Sequence, residues 1–205
     1  MGRHRSIDER LILDTARELF LLAGAALPTR AVARALHISE SVLYQRFGSK
    51  DALFYAAIAP PGAIRDPVLA AVSTLASAGA PYEARRSLET VALELLVMFR
   101  FLGPLLVAGL AHRPADPSLQ LRWRRTLPIA AVRDALSRAL RKLADHRILD
   151  VPDELASADT LITAAWGATV IPFLLPTELL TDGEHHVRSP AERVSDQLWT
   201  GMRPG

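Results

Sequence analysis

Residues 29–54 read TRAVARALHISESVLYQRFGSKDALF, and how this stretch is read decides the fold. Val32, Ala33 and Leu36 fall on one side of a short helix that begins at Pro28 or Thr29. Val42, Leu43 and Phe47 fall on one side of a second, which Ser39 is placed to cap, and Ser49 is placed to cap a third over KDALFYAAIA. Two short helices joined by His-Ile-Ser are what a helix-turn-helix requires. The first buttresses, and the second is held by its apolar side so that its polar side can enter a major groove. That polar side carries Glu40, Ser41 and Gln45, with Tyr44 and Arg46 at its edge, residue types that bond base edges or phosphates. The competing reading is a surface helix in an unrelated bundle.

Upstream, Ile12, Ala16, Leu19, Phe20 and Ala23 form one stripe of a helix over about 7–23, with Gly24 as its stop and Ser6 and Glu9 spaced as a capping box. Ahead of it lies a basic end, Arg3-His4-Arg5, which reads equally as a solvated terminus or as an arm toward DNA through Arg5. Downstream, Pro60-Pro61-Gly62 closes a compact first domain, 1–60. The remainder, 61–205, reads as a helical bundle with helices near 65–79, 82–102, 105–111, 118–147, 153–175 and 190–202. Beta-branched alternation is absent, so the fold class is all-α.

Composition narrows the function classes. The chain has no cysteine, which removes disulfides, thiolate metal sites and cysteine nucleophiles. The formal charge of +2 is unevenly made: residues 1–50 hold eight Lys/Arg against five Asp/Glu, and Lys50 and Lys142 are the only lysines. An excess of cations at the N-terminal end favours an anionic partner there. The start lacks an apolar leader segment, which leads us to expect a cytoplasmic protein. The most apolar run, Leu93 to Ala111, approaches membrane-spanning length but contains Glu94, Arg100 and the Gly103-Pro104 pair, so it reads as a buried core helix followed by a turn, and no membrane partner is expected.

The stretch from Thr29 to Phe54 also resembles the helix-turn-helix of the TetR (tetracycline-repressor) family of transcriptional regulators. The resemblance rests on Thr29, Val32-Ala33, Ile38-Ser39, Leu43-Tyr44, Phe47, Lys50 and Leu53, all in register, together with ARELFLLAG upstream. It implies that Thr29 and Arg30 meet phosphate and at times bases, that Tyr44 and Lys50 meet backbone phosphate, and that Ser39, Glu40, Ser41, Gln45 and Arg46 form the reading face. Lys50 also follows a cap at a helix N-terminus, where a phosphate is favoured by the free N–H groups and the helix dipole. His37 departs from the family, which has glycine at this turn position; a positive φ is expected there, tolerable for histidine at some cost.

The resemblance further implies a larger domain that dimerises and answers to a small molecule. Leu155, Ala158, Ile162 and Ala165 line one side of a helix, and Val194 and Leu198 one side of the last, so that two helices per chain could meet their symmetry mates; packing within one chain is the other possibility. A dimer would read a palindromic operator in double-stranded DNA. For an effector, apolar or aromatic, the candidates are Phe99, Arg100, Leu102, Leu106, His112, Trp123, Leu127 and Trp166, which read equally as plain core. The expectation is therefore a homodimeric, ligand-responsive repressor without cofactor, the alternatives being a constitutive DNA-binding protein or a helical enzyme. Against an enzyme, the sequence offers no His-Glu-x-x-His, no Gly-x-Ser-x-Gly and no phosphate-cradling glycine loop.

Overall fold

The computed structural model describes residues 7–174 and 190–202. Ten α-helices follow in order: α1 Glu9–Ala23, α2 Thr29–Ala35, α3 Glu40–Phe47, α4 Lys50–Ala57, α5 Asp66–Leu75, α6 Pro81–Ala111, α7 Pro117–Thr126, α8 Ile129–Asp145, α9 Glu154–Leu174 and α10 Pro190–Gly201, with a 3-10 turn over Gly62–Arg65. No strand occurs among the described residues, and the all-α expectation holds.

The chain divides into two compact units, one formed by residues 1–61 with 104–127 and the other by 62–103 with 128–205. In the first, α1 packs on α4, α2 on α3, α3 on α4, and α7 on α4. Its core is Ile12, Ala16, Phe20, Val32, Leu43, Leu53 and Phe54, all buried, with Phe20 and Phe54 edge to face at 5.2 Å. Burying one such ring contributes on the order of 1.5–3 kcal/mol, which lets a small unit stand on few residues. In the second unit α8 packs on α9 and on α5, and α10 on α9, around Val72, Leu88, Leu95, Phe99, Leu136, Leu140 and Leu161.

Helix ends depart from the sequence expectation in ways that local chemistry explains. α1 starts at Glu9 because Asp8 is the cap, its carboxylate accepting from the Arg10 N–H at 3.0 Å; Ser6 of the expected capping box lies outside the described residues. Ser39 stands at the N-cap of α3, yet its hydroxyl pairs with that of Ser41 at 2.8 Å instead of closing the helix. Ser49 caps α4 as expected, accepting from the Ala52 N–H at 3.0 Å. Arg17 ends α4 by donating to the Ala57 carbonyl at 2.7 Å, which satisfies an orphan acceptor of the last turn.

Two prolines behave in opposite ways. Pro104 was expected to break the apolar run, but α6 passes through it. The carbonyl freed by a missing N–H is that of Arg100, which is exposed along with Pro104, so water can satisfy it, and Gly103 has no Cβ to clash with the ring. Pro128 does break a helix expected to run from 118 to 147, because Leu127 ahead of it takes an extended backbone, φ −68° and ψ 135°. By length and mean hydropathy (2.0) α6 could cross a bilayer, and 44% of that apolar window is buried inside the protein.

Candidate nucleic-acid interface

The turn between α2 and α3 bears out the strain expected of it. His37 adopts φ 54°, in the left-handed region, with its N–H donating to the Arg34 carbonyl at 3.1 Å. The next residue, Ile38, donates to the Ala33 carbonyl at 3.0 Å, a pattern that closes the end of α2 and swings the chain into α3. Glycine does the corresponding work at Gly48, φ 78°, which ends α3 with its N–H on the Tyr44 carbonyl at 2.8 Å.

α3 is then held by one buried residue, Leu43, with Val42 and Phe47 half-buried beside it. The rest of the helix faces solvent: Ser41, Tyr44, Gln45 and Arg46 are exposed and Glu40 half-buried. Arg30, at the front of α2, is exposed too. Among the described residues neither Arg30 nor Gln45 makes a side-chain hydrogen bond, so the guanidinium fork and the amide remain open for a ligand. The expected contact residues thus fall into one small unit, carried on α2, α3 and the start of α4. Arg5 lies outside the described residues.

Several of these side chains also have internal work. Thr29 is buried, and its hydroxyl donates to the Glu40 carboxylate while lying 3.1 Å from the Tyr44 hydroxyl. Its single hydrogen being spent on Glu40, Thr29 accepts from Tyr44, and the three residues form a relay from α2 to the start and the middle of α3. Thr29 therefore fixes the angle between the helices and has no free hydroxyl to offer; what it leaves at the front of α2 is backbone N–H. Arg46 donates to the Ile7 carbonyl at 2.8 Å, fastening α3 to the start of α1, and retains further donors on the guanidinium. Lys50 donates to the Ala26 carbonyl at 2.9 Å, and two of its three donors remain.

A second cluster lies behind α4 in the same unit. Asp51 accepts from the Ala115 N–H at 2.8 Å and pairs with His112 Nε2 at 2.9 Å. The Tyr55 hydroxyl donates to the Gly109 carbonyl at 3.2 Å, and Gln120 Nε2 to the same carbonyl at 2.9 Å, so the orphan acceptors at the end of α6 are taken up by α4 and α7. His112, Tyr55 and Trp123 pack ring to ring, with the Trp123 indole N–H on the Ile58 carbonyl at 3.2 Å. Partial burial pushes the Asp51 carboxyl up, while the Ala115 N–H, the His112 ring and the Lys50 charge together pull it further down, below its ordinary value. Sequence reasoning missed Asp51, whose partners 61 and 64 residues away leave no local pattern, and Gln120, whose acceptors 11 and 8 residues back lie across a helix break.

The residues expected to line an effector pocket are divided. Leu106, His112, Trp123 and Leu127 belong to the first unit, where His112 and Trp123 serve α4; Phe99, Arg100, Leu102 and Trp166 belong to the second. There Phe99 and Trp166 meet edge to face at 5.4 Å as core, Leu102 is buried, and Arg100 points to solvent. Of the residues expected at a dimer interface, Ala158, Ile162, Ala165 and Val194 are buried by the chain's own helices, and Leu155 is exposed. The side chain of Leu198 lies outside the described residues.

These features define a helix-turn-helix unit and a second helical unit in one chain. Residues 12–57 match the family described as bacterial regulatory proteins, tetR family. No curated protein sequence matches the chain. Among solved structures it is similar to a Mesorhizobium loti MAFF303099 protein classed with the TetR-family transcriptional regulators, at 18% identity, TM-score 0.68, covering 94% of this chain and 93% of that one. It is similar to the flavonoid-responsive regulator FrrA at 21% identity, TM-score 0.61, covering 95% and 96%. It is similar also to AibR, solved with isovaleryl coenzyme A and operator DNA, at 15% identity, TM-score 0.59, covering 95% and 97%. At such identities the likeness is one of fold.

Proposed function

We propose that the protein is a homodimeric transcriptional repressor that reads a palindromic operator and answers to a small-molecule effector. The observation that carries this reading is the open side of α3. Ser41 and Gln45 stand exposed beside the unengaged Arg30, on a helix whose other side is anchored by Leu43 and whose entry is set by the His37 turn. The domain division proposed is 1–60 for DNA and 61–205 for effector and dimer. AibR, solved with isovaleryl coenzyme A, and FrrA, described as flavonoid-responsive, support an effector with an apolar acyl or aromatic part. Ligand binding would act by favouring one arrangement of the dimer, since equal affinity for both shifts nothing.

Because Ala158, Ile162 and Ala165 are covered within one chain, the dimer surface on α9 is better supplied by its other side. Ala156, Thr160, Thr163 and Ile171 are exposed there, spaced four, three and eight, with Gly167 among them facing open space. Small residues let two such helices approach closely across a two-fold axis.

Selection of bound sequences from random DNA with the full chain tests the reading. A palindrome with half-sites about 34–36 Å apart is expected; enrichment of no palindrome would sink it. On the recovered site, Lys50→Ala should weaken binding alike across sequences and lower the salt slope by about 1, whereas Gln45→Ala should change which base is preferred.

A further inference from the structure

The second unit carries a groove between α5 and α8 that none of the expected effector residues lines. Its volume is about 330 Å³, at the lower end of the range of small-molecule sites. α5 contributes Leu69, Val72 and Ser73, its C-cap adds Ala76, and α8 contributes Ala135 and Ala139, on rows where each helix repeats at three and four residues. Val72 and Ala139 are buried as its floor beside Leu69, and Ala76 and Ala135 leave unfilled the space that larger side chains would take.

The rim is cationic. Arg138 and Lys142, one turn apart on α8, both line the groove and are exposed. Among the described residues neither makes an ion pair or a side-chain hydrogen bond, whereas two other arginines of the same helix are engaged, Arg133 with Asp159 and Arg141 with Glu154. Side chains at that spacing stand about 5–6 Å apart at Cβ and can bracket a single anionic head.

From an apolar floor and a paired cationic rim, we infer that this groove binds a small amphiphile with an anionic head, a medium-chain carboxylate, with the chain along the alanines and the carboxylate between Arg138 and Lys142. Burial of each methylene should tighten binding about fourfold until the groove is full. The inference is independent of the DNA-binding reading, because it concerns occupancy of this groove alone.

The test is isothermal titration calorimetry of the full-length protein with octanoate, decanoate and dodecanoate, each below its micelle concentration. Affinity should rise with chain length, and dodecanol and dodecyltrimethylammonium should bind at least tenfold more weakly than dodecanoate. The double variant R138Q/K142Q should lose tenfold or more toward dodecanoate while keeping its helical circular dichroism. Ser73→Leu and Ala135→Leu, which fill the slot from its two helices at positions that are not fully buried, should each weaken dodecanoate and leave melting within a few degrees. Equal binding of dodecanol or of the ammonium amphiphile, or dodecanoate affinity unchanged in R138Q/K142Q and in both leucine variants, overturns the inference.

Discussion

Asp51 shows how one carboxylate can hold a small unit together. It lies in the first turn of α4, where the helix dipole favours an anion, and gathers the Ala115 N–H and the His112 ring from the chain that follows α6. Hydrogen bonds to a charged group contribute on the order of 1.5–3 kcal/mol, and the partial exposure of this pair, 17% and 21% of the side chains, places it at the lower end. Since the folded carboxyl titrates below its ordinary value, its stabilisation is complete above the unfolded value near 3.8 and is lost as pH falls through the folded one. Asp51→Asn should therefore cost about 1–2 kcal/mol at pH 6. In urea unfolding the gap between wild type and variant should shrink as pH drops below about 4; a gap of the same size at pH 3 would remove the carboxylate charge as its source.

At the scale of elements, the end of α6 is fitted rather than merely helical. A Cβ on Gly109 would lie 2.5 Å from Cζ2 and 2.8 Å from Cζ3 of Trp123, an indole pinned by its bond to the Ile58 carbonyl. Alanine at an ordinary helical glycine gains up to about 1 kcal/mol. Overpacking against a fixed ring costs about 1–3 kcal/mol, so the clash wins. Gly109→Ala should lower the melting temperature by roughly 2–8 °C with a shift in tryptophan emission; an unchanged or raised melting point would show that the ring yields freely. Such fits mark the boundary of what was legible in the sequence. The helix-turn-helix was legible in its starts and its turn, because period and turn chemistry act within four residues: α2, α3 and α4 begin where their signals stand, and His37 takes the positive φ expected of its position, although the Ser39 hydroxyl turns to Ser41 instead of capping α3. What escaped was set by solvent and by distant partners. Pro104, exposed on α6, did not break the helix, the effector candidates were sorted by a packing pattern no local period encodes, and Asp51 met a histidine 61 residues away.

At the scale of the whole molecule, the function proposed depends on two copies. One reading helix contacts too few base pairs to be selective, and a two-fold pair squares the problem by requiring two half-sites at fixed spacing. The surface that would make the pair is the open side of α9, where Thr160, Thr163 and Gly167 offer little bulk and no charge. A like charge placed on a two-fold axis meets itself, so a single substitution there is felt twice, while the fold of each chain, whose core lies on the opposite side at Ala158, Leu161 and Ala165, is spared. Thr163→Arg should therefore leave melting of the helices within a few degrees, shift the species seen by light scattering from about twice the chain mass of 22.3 kDa to that mass, and weaken operator binding by at least a hundredfold. The salt slope should fall at the same time to about half, because one chain in place of two then neutralises the phosphates. A variant that remains a dimer with full operator affinity would place the pairing surface elsewhere on the chain, and one that becomes a monomer yet keeps its affinity and salt slope would remove the need for two copies.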